Sequence, residues 1–156
     1  MSVRNDGKNI TAPVFPSNAV ESNDIRSNFT LKGEHNRSWT AENPGKRIGL
    51  RLKIDGGLIV STKQNKCDAG LLLDDDRFFL VEFKGKDCKY AAEQLCETKK
   101  YFESEYSSYD FEFHARIVGK SFPNASTSNQ RAKLVLANNF GKNNYKFYEK
   151  QGKEII

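Results

Sequence analysis

Two apolar runs on either side of an aspartate-rich turn constrain the fold of this chain more than any other feature. The runs are Lys66–Leu73 and Arg77–Lys84, and Asp74-Asp75-Asp76 separates them. Aspartate is a common turn former, and both runs are rich in the aliphatic and aromatic residues that strands favour. We therefore predict an antiparallel β-hairpin with a solvated turn centred on Asp75.

The symmetry of this hairpin predicts which side chains share a face. If the strands fold about Asp75, residues equally far from it face each other, so Asp68 lies opposite Glu82. Directly opposed side chains have Cβ atoms about 4.5–5.5 Å apart. Lys84 points to the same face as Glu82, because side chains alternate along a strand. The pattern predicts two carboxylates and an amine together at the end of the hairpin that is remote from the turn.

Such a group of charges favours a divalent cation. Two facing carboxylates repel each other, and burial penalises both charges. Mg²⁺ binds one or two carboxylates and keeps several waters, which leaves room for a phosphate. The metal lowers the pKa of a bound water, and a neighbouring lysine can act on that water or on the charge of the phosphate. Phosphodiester hydrolysis needs this combination, whereas the alternative interpretation is a structural Asp–Lys–Glu cluster at a sheet edge.

The chain from Arg47 onward alternates strand and helix signals. They predict an α/β fold in the order β-β-β-β-α-β-α-β-β, a central mixed β-sheet flanked by helices. The predicted elements are the strands Ile48–Ile54, Leu58–Thr62, Lys66–Leu73 and Arg77–Lys84, a helix capped by Asp87 that ends near Tyr106, the strand Phe111–Val118, a helix capped by Ser126 or Thr127 that ends near Gly141, and a closing hairpin of Tyr145–Tyr148 with Glu154–Ile156.

Residues 1–45 differ from the rest of the chain. They hold three of the four prolines, and no helical or strand period persists in them. We predict an irregular or partly helical N-terminal arm over 1–45, with a short helix near Ile25–Trp39, followed by an α/β domain over 46–156. Trp39, the only tryptophan, is expected to anchor the arm on this domain.

The segment NKCDAGLLLDDDRFFLVEFKGKD, followed by AAEQL, resembles the PD-(D/E)XK nuclease superfamily. That superfamily has a hairpin bearing Asp and then Glu-x-Lys, followed by a helix that carries a Gln in RecB-like and phage exonuclease members. The matching positions here are Asp68, Glu82, Lys84 and Gln94. Cys67 takes the place of the superfamily's Pro, and the carboxylate that some members carry before the first strand has no clear match.

This resemblance implies a restriction endonuclease-like core, a central mixed sheet with helices on both sides, and a Mg²⁺- or Mn²⁺-dependent endo- or exonuclease. Asp68 and Glu82 would bind the metal, with the backbone carbonyl of Phe83 as a further ligand. Lys84 would act on the attacking water, and Gln94 would assist. The resemblance favours DNA slightly over RNA as the substrate.

The distribution of charge fits a nucleic-acid partner. The net charge is +5, made up of +3 in residues 1–60, −2 in 61–125 and +4 in 126–156. An acidic middle between basic ends suits a cation site beside a polyanion. Lys86 and Lys89, at the start of the predicted helix, are the candidate contacts to the nucleic-acid backbone. The alternative interpretation, for these lysines and for the charge distribution as a whole, is an ordinary solvated surface.

Composition bounds the compartment and the remaining alternatives. Three cysteines at uneven spacing do not suit a disulfide framework, so we expect a reducing cytoplasm. No apolar run is long enough to span a bilayer, so no membrane partner is expected. The alternative function is a catalytically silent nuclease-fold protein that binds nucleic acid or a protein partner, in a phage, defence or toxin context. In either case a homodimer or a protein partner would supply specificity.

Overall fold

The computed structural model describes residues 1–61, 64–84, 87–123 and 126–156. This part of the chain contains eleven strands and two helices. In chain order they are β1 (Arg4–Asn5), β2 (Ile10–Ala12), β3 (Val20–Ile25), β4 (Asn28–Lys32), β5 (Ser38–Glu42), β6 (Ile48–Lys53), β7 (Ala69–Leu73), β8 (Arg77–Lys84), α1 (Cys88–Glu105), β9 (Glu112–Gly119), α2 (Thr127–Phe140), β10 (Tyr145–Glu149) and β11 (Gln151–Ile155). Neither described helix is long and apolar enough to cross a membrane.

A six-stranded mixed sheet forms the centre of the protein, with the strand order β10-β9-β8-β7-β6-β3. Within this sheet β3, β6, β7 and β8 pair antiparallel with their neighbours in that order. β9 runs parallel to β8, and β10 runs parallel to β9. Parallel neighbours need a long crossover connection, and α1 and α2 supply the two that are required here. The predicted α/β class and mixed sheet are confirmed.

The two faces of the central sheet are covered by different layers. Both helices pack on one face, where Leu80 and Ala115 join Leu95 of α1 in the larger core. A three-stranded sheet with the order β11-β5-β4 covers the other face, where the rings of Trp39 and Phe79 lie 5.2 Å apart. Within the described ranges the helices therefore flank the sheet on one side only, and strands occupy the side where the resemblance implied further helices.

The central hairpin has the predicted register. Ala69 pairs with Val81, and the following pairs of β7 and β8 are likewise symmetric about Asp75. Continuing this pairing by one residue places Asp68 opposite Glu82. A slip of one residue would have moved every side chain of the strand to the other face. The register therefore determines which side chains of β7 and β8 face each other.

Both helices begin and end at the predicted capping residues. The Oδ1 atom of Asp87 accepts a hydrogen bond of 3.1 Å from the backbone N–H of Tyr90 at the start of α1. Ser126 caps α2 by accepting from the N–H of Asn129. Gly141 ends α2 with a φ of 97°, a conformation that favours glycine.

The prediction for residues 1–45 is wrong in its secondary structure. All of these residues are described, and they form five strands and no helix. β3 extends the central sheet, and β4 pairs with β5 across the region predicted as a short helix. Strand propensity depends strongly on neighbours, so polar strands such as VESNDI form only because a paired partner strand is present. Trp39 does anchor this region, since it is fully buried against the central sheet.

Two other strand predictions are also wrong. β10 and β11 do not form a closing hairpin, because β10 pairs with β9 in the central sheet and β11 pairs with β5 in the second sheet. Residues 58–61 form no strand and contribute only the isolated bridge between Asp55 and Ile59, while Thr62 lies outside the described residues. The aspartate- and glycine-rich turn before them therefore ends β6 rather than joining two strands of a hairpin.

A buried ion pair connects the two sheets. The carboxylate of Glu154 accepts two hydrogen bonds of 2.8 Å from Arg116, one of 2.9 Å from Trp39 and one of 2.7 Å from Tyr148. Burial raises the pKa of Glu154, but the hydrogen bonds and the charge of Arg116 outweigh it and lower the pKa to about 2. The Glu154 carboxylate is therefore ionised at neutral pH.

Replacing Glu154 by Gln should destabilise the fold in a pH-dependent way. Arg116 would remain buried without a counter-charge, so we expect the free energy of unfolding at pH 7 to fall by about 3 kcal/mol. A lowered carboxyl pKa stabilises the folded state above pH 4.5 and loses this effect as the pH falls toward 2, so the difference between variant and wild type should shrink in that range. Urea unfolding at a series of pH values measures this, with the exposed Glu149→Gln as control. Equal losses in both variants would contradict the role assigned to the ion pair.

Candidate active site

Asp68 lies directly before β7 and is held from two sides. Its backbone carbonyl accepts hydrogen bonds from the N–H groups of Ile54 and Asp55, at 3.1 and 3.3 Å. Its side-chain Oδ2 accepts a hydrogen bond of 2.9 Å from the N–H of Phe83 in β8. The turn after β6 and the end of β8 together fix the Asp68 carboxyl group beside Glu82.

Glu82 is the buried member of the carboxyl pair, with 4 % of its surface exposed. Burial, and then the negative charge of Asp68 and a hydrogen bond between the two side chains, raise the pKa of Glu82 to about 10, while the charge of Lys84 opposes this shift. Burial also raises the pKa of Asp68. The Oε1 atom of Glu82 has no hydrogen-bond partner among the described residues. A buried carboxyl pair with a free oxygen is an arrangement that a divalent cation would stabilise.

Lys84 is half-buried at the end of β8, two residues beyond Glu82. Its Nζ atom lies 4.7 Å from the centre of the Tyr90 ring, a cation–π contact that holds the amine on the helix side of the sheet. Tyr90 and Gln94 are one turn apart on α1 and therefore share a helix face. Sequence reasoning missed Tyr90, although its i, i+4 spacing from Gln94 is a signal that could have identified it.

Gln94 connects α1 to the residues before Asp68. Its Nε2 atom donates a hydrogen bond of 3.3 Å to the carbonyl of Lys66, and its Oε1 atom is buried without a partner in the described ranges. One turn further along, the hydroxyl of Thr98 accepts a hydrogen bond of 2.8 Å from the N–H of Cys67. α1 therefore positions the two residues that lead into Asp68.

The donor atoms at this site fit Mg²⁺ or Mn²⁺. The described residues contain no group of three or more His, Cys, Asp or Glu side chains that could hold a metal, so two carboxylates would need backbone and water oxygens beside them. The N–H of Phe83 points toward Asp68. The N–H and C=O of one strand residue point to the same side, so the carbonyl of Phe83 is directed there too. An all-oxygen site with two carboxylates and several waters suits these cations.

The two lysines predicted to contact nucleic acid have different outcomes. The Nζ atom of Lys89 lies 3.7 Å from the carboxylate of Glu93, one turn along α1. This ion pair offsets the charge of Lys89. Lys86, with Gly85 before it, lies outside the described residues.

A groove opens on Asp68 from the side of the second sheet. Its volume is about 440 Å³, and Lys32, Gly33 and Arg37 from the β4–β5 hairpin form part of its wall. Sequence reasoning missed these residues because it predicted no strands in this region. The alternation of Phe29 and Leu31 with polar residues is the local signal that could have revealed the hairpin.

The sequence matches no protein-family model, and neither the curated proteins nor the solved structures include a significant match. The resemblance to the PD-(D/E)XK superfamily therefore rests on the sequence motif alone.

Replacing Glu82 by Gln should stabilise the metal-free protein. The folded state keeps a proton on Glu82 that the unfolded chain releases above pH 4.5, so the free energy of unfolding falls as the pH rises from 4.5 toward 10. Gln imitates the protonated form, and we expect a gain of roughly 3 kcal/mol at pH 7. Urea unfolding in EDTA measures this gain, with the exposed Glu105→Gln as control. If Glu82→Gln were less stable than the wild type at pH 7, this would contradict the unfavourable ionisation of Glu82 beside Asp68.

Metal ions should make the wild type more stable than Glu82→Gln, which reverses the order expected in EDTA. An ion that binds only the folded state raises its stability, so Mg²⁺ or Mn²⁺ should raise the unfolding midpoint of the wild type and have little effect on Glu82→Gln. Thermal unfolding with increasing MnCl₂ tests this. A wild-type midpoint that does not move would argue against a metal site between Asp68 and Glu82.

Proposed function

We propose that this protein is a metal-dependent phosphodiesterase that cleaves nucleic acid, with DNA slightly favoured over RNA. The observation that carries the proposal is the pairing of buried Glu82 with Asp68 at the end of β7 and β8, with Lys84 on the same strand. The oxygen of Glu82 that has no partner among the described residues supports a cation between the two carboxyl groups.

The carboxylates of Asp68 and Glu82, with the carbonyl of Phe83, would hold Mg²⁺ or Mn²⁺. Such a metal supplies a bound water of lowered pKa and polarises the phosphate. The protein's own contribution is the fixed geometry of its ligands. The N–H of Phe83 orients Asp68, and the burial of Glu82 keeps bulk water from that carboxyl group. A neutral Glu82 would release its proton when the cation binds, so metal affinity would rise with pH.

Lys84 would act at the phosphate. Hydrolysis forms a bond from the water oxygen to phosphorus and breaks the bond from phosphorus to the leaving oxygen. The amine of Lys84 would orient the attacking water or neutralise the charge that develops on the phosphate oxygens. The ring of Tyr90 limits the positions open to this amine, and Gln94 would support the site by holding the residues before Asp68.

The proposed core is a restriction endonuclease-like sheet in a variant form. β6, β7, β8, α1 and β9 supply the hairpin, the helix and the parallel strand that the motif requires. The second sheet would replace one layer of helices. Three free, buried cysteines are compatible with activity in a reducing cytoplasm.

Cleavage assays on single- and double-stranded DNA and RNA in Mg²⁺ or Mn²⁺ test this proposal. We expect Lys84→Met to lower the rate by about 10²–10⁴-fold, the range found for positioned acid–base groups. Asp68→Asn should lower the rate as well, because it removes a carboxylate from the proposed metal site. Asp24→Asn and Lys142→Met remove the same groups from other surface positions and should leave the rate unchanged.

Equal rates in the wild type and in both site variants would contradict the mechanism. A protein that cleaves nothing and does not respond to Mg²⁺ or Mn²⁺, yet binds nucleic acid or a protein, would instead be a catalytically silent binder with a nuclease-like core.

A further inference from the structure

A row of cations leads away from the candidate active site across the tip of the β4–β5 hairpin. Three adjoining grooves follow this row, and the first of them is the groove that opens on Asp68. Lys32 lines the first and second grooves, and Arg37 lines all three. Lys120 and Lys150 line the third groove. We call Lys32, Arg37, Lys120 and Lys150 the basic path.

The cations of the basic path are not engaged in ion pairs among the described residues. None of them forms an ion pair with a carboxylate in the part of the chain that the structure describes, whereas other surface cations such as Arg47 do. The three lysines are exposed, and Arg37 is half-buried. Their positive potential is therefore available to an external anion.

Among the described residues that line the three grooves, carboxylates occur only in the groove at the candidate active site. The carboxylates that line that first groove are Glu21, Glu34, Asp55 and Asp68. The lining of the second and third grooves, as far as the structure describes it, includes no carboxylate. The first groove, whose carboxylates attract a cation, therefore adjoins the basic path, whose lysines and arginine attract a polyanion.

Close packing fixes the near end of the basic path relative to Glu82 and Lys84. Gly33, at the tip of the β4–β5 hairpin, lies so close to the ring of Phe83 that a Cβ atom at this position would overlap it. The N–H of Gly33 donates a hydrogen bond of 2.9 Å to the carbonyl of Arg37, which closes the tip. The hairpin is therefore seated on the strand that carries the catalytic candidates.

The far end of the path is fixed by the strand connections. The N–H of Lys150, in the turn between β10 and β11, donates a hydrogen bond of 2.7 Å to the carbonyl of Gly119. Gly119 directly precedes Lys120 and pairs with Lys84 in the central sheet. The two lysines are thus held beside each other, on the continuation of the strand next to β8.

We propose that the basic path binds the phosphate backbone of a single nucleic-acid strand and leads it to Asp68. This inference rests on the proposed function, since it assumes that the phosphate to be cleaved lies at the carboxyl pair. The guanidinium of Arg37 presents a planar fork that fits a phosphate, and the lysines act as point charges.

The dimensions of the grooves favour a single strand. Their volumes are about 400–440 Å³, a size typical of sites that take a small molecule, which suits successive nucleotides rather than a duplex. Contacts to phosphates carry no base information, so binding along this path is independent of sequence.

Salt-dependent binding of labelled oligothymidylate and oligouridylate tests the path, measured by fluorescence anisotropy in EDTA so that no cleavage occurs. Each phosphate contact with a single strand contributes about 0.7 to the slope of log affinity against log salt. The double variant Arg37→Ala/Lys150→Ala should therefore reduce the slope by about 1.4 on the oligonucleotide that binds. Tighter binding of oligothymidylate would indicate that the path takes DNA, and tighter binding of oligouridylate would indicate that it takes RNA.

The double variant Arg131→Ala/Lys142→Ala is the matched control, because it removes the same two charges from exposed positions on and after α2. It should keep the wild-type slope. An unchanged slope in the Arg37/Lys150 variant, or an equal reduction in the control, would overturn the basic path. Circular dichroism melting establishes that each variant is folded.

The basic path and the proposed function fail in different ways. A protein that binds with the expected change of slope but cleaves no nucleic acid in Mg²⁺ or Mn²⁺ supports the path and contradicts the nuclease. A protein that cleaves in a manner dependent on Asp68, while the Arg37/Lys150 variant binds like the wild type, supports the nuclease and overturns the path.

Discussion

The register of β7 against β8 is the constraint on which the rest of the structure depends. Pairing symmetric about Asp75 brings Asp68 opposite Glu82 and directs the N–H of Phe83 to the Asp68 carboxyl group. The same register decides which apolar side chains meet the helices and which meet the second sheet. A shift by one residue would exchange the two faces, so the core and the candidate active site are specified by the same pairing.

Glu82 and Glu154 show how differently one fold treats two buried glutamates. Glu154 receives hydrogen bonds from Arg116, Trp39 and Tyr148, and these bonds outweigh its burial and lower its pKa to about 2. Glu82 faces another carboxyl group, and one of its oxygens has no partner in the part of the chain that the structure describes. Burial and the charge of Asp68 raise the pKa of Glu82 to about 10. The first arrangement is complete without a ligand and joins two sheets. The second lacks such partners among the described residues, which is the physical basis for the cation proposed at that position.

The second sheet makes the N-terminal residues part of the candidate site. Seated by Gly33 on Phe83, the β4–β5 hairpin brings Lys32 and Arg37 beside the groove that opens on Asp68. β11 closes this sheet from the other end of the chain, and the turn before it places Lys150 next to Lys120. The second sheet lies where the resemblance implied helices, and its hairpin supplies positive charge beside Asp68.

Local sequence patterns were enough to predict the central hairpin, both helices with their caps, and the meeting of Asp68 with Glu82. These features are local, since a turn residue, an alternating pattern and a capping side chain each act within a few residues. Long-range packing explains the features that these patterns did not predict: residues 1–45 form strands, β10 and β11 pair with different sheets, and Arg116 meets Glu154. Polar strands carry a weak local signal, and their partners lie far away along the chain. Which edge each strand joins depends on the surfaces left open once the rest of the protein has packed.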